Sequence, residues 1–177
     1  IRWVIDHIPQ ARKLVDIGQL AFGTIDSWLL WNLCEERPHT TDETNASRTL
    51  LFNIHTRQWD NALLALFGIP SSILPVVHPS RFRFGVLKHN LVNASIPVLA
   101  VCGDQQASTY AAIRSSSSKG FVKVTYGPGV FVVYILGSRV LFRPPFITTL
   151  VPDRKGTSFA LEGKVEGSGE AVDRLLA

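Results

Sequence analysis

Apolar positions fall at helical spacing early in the chain, then in short continuous runs, and finally in alternation. Over residues 1–17, Trp3, Val4, Ile8, Leu14 and Val15 lie roughly on one helical face, and Pro9 predicts a break in it. The stretch FGTIDSWLLWNL, residues 22–33, predicts a second helix with Thr24 before its apolar run. Asp26 in the first turn suits the positive end of the helix dipole, which gives it a structural task. Residues 34–49, CEERPHTTDETNASRT, predict a polar loop, and LLFNIHTRQWD a short strand or extended segment. NALLALFGIP predicts a short helix stopped by Gly68 and Pro70. SSILPVVHP is a proline-marked connection. RFRFGVL predicts an edge strand, with Phe82 and Phe84 alternating with Arg81 and Arg83.

The run IPVLAVCG, residues 96–103, predicts a strand buried on both faces in a parallel or mixed sheet. QQASTYAAIR predicts a helix after it. SSSSK, residues 115–119, is a small polar linker, so the expected domains are 1–114 and 115–177. Beyond it, FVKVTYGPGVFVVYILG predicts a hairpin around Gly127-Pro128-Gly129. ITTLVP and TSFALEG predict a second strand pair joined by a turn at 153–156, and GSGEAVDRLLA a helix on a glycine-rich turn. Strands followed by a helix, twice over, predict an α/β protein of two related halves.

Composition adds limits. The chain has 177 residues, of which 46% are hydrophobic and 18% charged, enough for a real core. No window approaches the apolar run of a membrane span, and Arg2 and Asp6 interrupt the N-terminal pattern, unlike a signal peptide. The net charge is +4, but the cations are scattered, with no dense basic run to suit nucleic acid. Cys34 and Cys102 lack metal-ligand spacing and fit a reducing compartment, the cytoplasm. With no Met, and with both ends inside amphipathic patterns, the sequence is expected to be a piece of a longer protein.

Three stretches carry candidate chemistry. In VLAVCGDQQAST, residues 98–109, Asp104 and Gln105 follow an apolar run and precede a helix, the ligand position of open α/β sheets. Asp104 there suits either a base that takes a proton from a substrate hydroxyl or a cap for the next helix. Gln105 offers a donor and an acceptor to a further hydroxyl. In TYGPG, residues 125–129, the glycines suit either a close backbone approach to phosphate or a tight turn. GSGEAV, residues 167–172, could take an anion at a helix start.

Together with IRWVIDH, FGTIDSWLLWNL, TNASRTLLFNIHTRQWD, FGIPSSILP, GDQQA, VTYGPG and FALEG, these stretches resemble the FGGY carbohydrate kinases, nearest the branch that phosphorylates glycerol. The resemblance runs in the family's order over almost the whole chain, and TNASRTLLFNIHT is its most specific block. It implies an actin-like, ribonuclease-H-like fold in which two α/β domains close over a polyol and MgATP. This chain would hold the latter part of the first domain and the first part of the second. Asp104 matches the catalytic base, and Gln105 a polyol contact. Gly127 and Gly129 match the nucleotide-side hairpin, and Gly169 a backbone contact to the nucleotide. No residue is implied as a protein ligand to metal.

Three positions depart from the family's pattern. Pro128 stands where Thr is usual, which removes a hydroxyl and an N–H. Asp173 stands for Gln, and Glu166 for an apolar residue. All lie on the implied nucleotide side. The implied activity is ATP-dependent phosphorylation of glycerol, with ATP and Mg²⁺ as cofactors and a possible homo-oligomer at full length. The alternatives are an FGGY kinase for another polyol or ketose, and a non-catalytic homologue that binds a polyol or a protein partner.

Overall fold

The computed structural model describes residues 1–115, 121–127, 129–154 and 156–166. Contacts divide the chain into two compact units, Ile1–Cys102 and Gly103–Ala177, ahead of the boundary expected at 114/115.

The first unit opens with α1 (Arg2–His7) and α2 (Pro9–Asp16), separated by an extended Ile8. The break lies where Pro9 predicts it, because proline is tolerated at the first helical position but not inside a helix. α3 (Ile25–Leu33) follows. Asp26 is buried and bonds side chains: Thr24 Oγ1 donates to it, and so does Thr41 Oγ1 at 2.7 Å. The expected helix-start residue therefore ties its helix to a neighbouring strand. Trp28 remains 62% exposed, and Ile25, Leu29 and Trp31 are exposed too, so α3 carries apolar surface that the described residues leave uncovered.

The expected polar loop at 34–49 is instead β1 (Thr40–Asp42) leading into α4 (Glu43–Ala46). β1 pairs in parallel with β4 (Val76–His78), inside the expected connection. Thr41, Asp42 and Thr44 are fully buried with their polar groups satisfied, Thr41 by Asp26 and Thr44 by Asp42. The Asp42 carboxylate accepts from the backbone N–H groups of Thr44 and Asn45, at 3.1 and 3.0 Å, capping α4. It also accepts from Asn45 Nδ2 at 2.8 Å, Thr44 Oγ1 at 2.8 Å and Ser80 Oγ at 2.6 Å.

LLFNIHTRQWD forms a small hairpin of β2 (Phe52–Asn53) and β3 (Gln58–Trp59). α5 (Asn61–Phe67) starts on Asp60, whose side chain accepts from the Ala62 and Leu63 N–H groups. It ends on Gly68 in the left-handed conformation, φ +59°. A Cβ at Gly68 would also lie 2.5 Å from Nη1 of Arg2, which donates to the Gly68 carbonyl. Gly68→Ala is therefore expected to cost about 1–2 kcal/mol from backbone conformation alone, and Gly68→Asn less, read by chemical denaturation. Ile5, Leu51, Leu64, Ile69, Ile73 and Leu74 form the core beneath α5.

At the end of β4, His78 stacks on Phe82 with ring centroids 3.8 Å apart. Burial pushes the His78 imidazole below its ordinary value of 6.5. The folded state then binds its proton less readily than the unfolded state. Its contribution is complete above about pH 6.5 and is lost as pH falls through the lower folded value. Denaturation midpoints from pH 7.5 to 5 should fall more steeply for the natural chain than for His78→Gln.

Two expectations at the end of the unit are corrected. RFRFGVL contributes only β5 (Gly85–Val86), and IPVLAVCG only β6 (Pro97–Val98), and these pair antiparallel with each other. Leu99 is 58% exposed, because no second strand flanks β6 among the described residues. The run is not a strand buried on both faces.

Among the described residues, the second unit consists of α6 (Asp104–Ser115) and one antiparallel sheet. Its strands are β7 (Val122–Tyr126), β8 (Val130–Gly137), β9 (Ile147–Asp153) and β10 (Gly156–Val165), in the order β7-β8-β10-β9. Both expected strand pairs are present. Ile113 of α6 packs on Val133, Val151 and Ala160 of the sheet, which is why the helix belongs to this unit. Most of the expected linker and all of the final helix lie outside the described residues. No described helix is long and apolar enough to cross a membrane.

Candidate functional site

The second unit brings Asp104 and Gln105 together with two residues of β7. α6 begins where the Gly103 carbonyl accepts the Ala107 N–H at 2.8 Å. Asp104 is therefore the first helical residue, and its carboxylate is exposed. Oδ1 accepts the N–H of Gln105, its chain neighbour, at 2.7 Å. A cap would take an N–H two or three residues on. Asp104 is thus placed as an outward-facing acceptor at the N-terminus of α6.

Gln105 and Gln106 are adjacent in sequence but serve opposite edges of the sheet. Gln106 is buried, and its Nε2 donates to Thr149 Oγ1 on β9 at 3.3 Å. Gln105 is half-buried, and its Oε1 accepts from Lys123 Nζ at 3.0 Å and from Thr125 Oγ1 at 3.3 Å, both on β7. Lys123 pairs in register with Val133 on β8, which pairs with Glu162 on β10. Lys123 and the buried Glu162 therefore share one row across the helix-facing side of the sheet. Burial pushes the Lys123 ammonium below the ordinary lysine value, and the charges of Asp104 and Glu162 push it back up.

β7 then runs directly into the glycine hairpin. The Gly127 N–H donates to the Gly129 carbonyl at 3.1 Å, so this donor serves the turn. A Cβ on Gly129 would stand 3.2 Å from the Val165 carbonyl oxygen and 3.4 Å from Lys164 Cε. The close approach of β10 thus gives glycine a structural reason at 129. Glu166, one of the departures, is exposed and pairs with Lys164 at 2.9 Å, which holds its carboxyl below the usual range. Pro128, Gly169 and Asp173 lie outside the described residues.

Lys123 and Thr125 were not singled out in the sequence. A lysine between valines in a strand reads as a solvent-facing position. The structure inverts that alternation: Val122, Val124 and Tyr126 are exposed, while Lys123 and Thr125 turn toward α6. Among the described residues, no group of three or more His, Cys, Asp or Glu side chains could hold a metal by itself.

Comparison with known proteins identifies the family. The model of the FGGY family of carbohydrate kinases, N-terminal domain, matches residues 1–111. Glycerol kinase of Alcanivorax borkumensis is 45% identical over 176 residues, covering 99% of this chain and 35% of its own length. Glycerol kinase 1 of Pseudomonas aeruginosa is 45% identical over 177 residues, with the same coverage. The chain thus spans about 35% of the length of these curated relatives. The crystal structure of Plasmodium falciparum glycerol kinase with ADP superposes with a TM-score of 0.86 at 34% identity, over 99% of this chain and 35% of that one. The xylulose kinase of Rhodospirillum rubrum superposes with a TM-score of 0.79 at 20% identity, over 98% of this chain and 34% of its own, a likeness of fold alone. The match over most of its length and the shared actin-like fold make this chain a member of the FGGY family of carbohydrate kinases.

Proposed function

We propose that the protein containing this chain is an ATP-dependent kinase that phosphorylates glycerol to glycerol 3-phosphate. One observation carries the reading: an outward carboxylate and a held amide stand side by side at the start of α6, in a chain 45% identical to glycerol kinases over nearly its whole length. Residues 1–114 form the latter part of the N-terminal domain in this reading, and 115–177 the first part of the C-terminal one. The free cysteines Cys34 and Cys102 support a cytoplasmic setting.

Asp104 is the catalytic base. Its carboxylate accepts the proton of the attacking hydroxyl and orients that oxygen for in-line attack. Gln105 holds a further hydroxyl of the polyol, which converts a loose encounter into a fixed geometry. Gly127, Pro128, Gly129, Gly169 and Asp173 form the nucleotide side. The chemistry supplied by bound MgATP is the transferable phosphoryl group and a cation that screens its charge. Such an ion would be held chiefly through the substrate phosphates, since no group of His, Cys, Asp or Glu among the described residues forms a metal site by itself.

The test is a coupled ADP-release assay on the longest natural chain carrying this sequence, with glycerol, other polyols and ketoses as acceptors. Glycerol-dependent ADP release, with the highest kcat/KM for glycerol, supports the proposal. A higher value for another acceptor moves the assignment within the family. A second reading, a polyol-binding homologue without catalysis, draws on the hairpin: Pro128 has no N–H, and that of Gly127 is occupied by Gly129. Glycerol binding by calorimetry without ADP release would favour it.

A further inference from the structure

We propose that Lys123 is a positioning residue that, with Thr125, holds the Gln105 side-chain oxygen against the sheet, so that Gln105 meets its ligand through its NH₂ group alone. The identity of the ligand rests on the polyol-kinase reading; the orientation of the amide does not.

The chemistry of the partners fixes the orientation. An ammonium has three donors and no acceptor, so only the oxygen end of an amide can face it. Lys123 Nζ lies 3.0 Å from Gln105 Oε1, a charge-assisted contact, and the Thr125 hydroxyl adds a second donor to the same oxygen at 3.3 Å. Turning the amide over would set an NH₂ against an ammonium and remove the acceptor from both donors. Burial weakens the hold of Lys123 on its proton, and the carboxylates of Asp104 on the helix and Glu162 on β10 offset part of that. Two strand positions separate Glu162 from Lys123, roughly 10 Å across the sheet.

A division of labour follows at the start of α6. Asp104 presents oxygen only, and Gln105 presents N–H only. A ligand that engages both must offer a proton to the first residue and a lone pair to the second. A freely turning glutamine could serve either kind of group, so the lysine converts an ambiguous side chain into a selective one.

The test uses the longest natural chain, labelled with ¹⁵N-glutamine. The Gln105 side-chain NH₂ signals are assigned with Gln105→Glu. In the natural protein these signals should be sharp, should exchange slowly, and should shift as Lys123 loses its proton below the ordinary lysine value of 10.5. In Lys123→Met they should move, exchange faster, and lose that titration. In the acceptor assay, Lys123→Met should raise KM for the polyol about 10-fold while kcat changes less than about 3-fold, which is the signature of lost ground-state binding. Lys123→Arg, which keeps a donor-only cation, should recover most of the loss. Thr125→Val should give a smaller rise. Unchanged Gln105 signals in Lys123→Met would overturn the proposal, as would an unchanged KM in a protein that turns over polyol. If the natural chain phosphorylates no polyol, the functional reading falls, and the Gln105 signals alone decide the proposal.

Discussion

Asp104→Asn should lower kcat for polyol phosphorylation by about 10²–10⁴-fold in the longest natural chain, while polyol binding measured by calorimetry changes less than about 5-fold. The substitution keeps size and hydrogen-bonding capacity but removes the base. It should leave the fold untouched, because the Asp104 carboxylate is exposed and its one identified bond is to the N–H of its own neighbour. Equal thermal unfolding of the two proteins is therefore part of the expected result. A kcat within 10-fold of the natural protein would remove Asp104 from the chemistry and return it to the start of a helix.

Asp42→Ala should act on the fold instead, destabilising the first unit by about 3–5 kcal/mol. The carboxylate caps α4 and accepts from Asn45 Nδ2, Thr44 Oγ1 and Ser80 Oγ in a fully buried place. Alanine would leave several donors without an acceptor where water does not reach. Each such buried group costs roughly 1–3 kcal/mol, and their neighbours relax to recover part of it. Asp42→Asn, which keeps one acceptor oxygen, should lose less. Urea denaturation followed by tryptophan fluorescence reads both variants, since all four tryptophans lie in the first unit. A loss below about 1 kcal/mol for the alanine variant would show that the buried donors find other partners.

Much of the local structure was legible from residues with fixed conformational habits. Pro9 marked the break between α1 and α2, and Gly68 and Pro70 marked the stop of α5. The hairpin β7–β8 and the pair β9–β10 were readable because their partners are close in sequence and their turns are marked by glycine. What was not legible depends on partners far along the chain. The parallel pairing of Thr40 with Val76 leaves no local trace. The TTDET stretch looks like a loop because its residues are polar, yet Thr41, Asp42 and Thr44 are buried, with Thr41 bonded to Asp26 and Thr44 to Asp42. In IPVLAVCG the apolar run overstated the strand, since hydrophobicity says that a residue wants cover but not how many neighbours supply it.

The candidate site divided in the same way. Asp104 and Gln105 stood out because an acid and an amide after an apolar run are conspicuous. Lys123 and Thr125 did not, because alternation gives the period of a strand and not which face meets the helix.

The bond from Gln106 to Thr149 sets the rotation of α6 about its own axis. Each residue turns a helix by about 100°. Deleting or inserting one residue between Gly103 and Gln106 would therefore force a choice. Either the anchor stays and the acid swings away by more than a quarter turn, or the acid stays and the anchor is lost. Substitutions along GDQQA can be graded in their effects, but a change in its length cannot. The spacing of these five residues is a mechanical tolerance as well as a chemical motif.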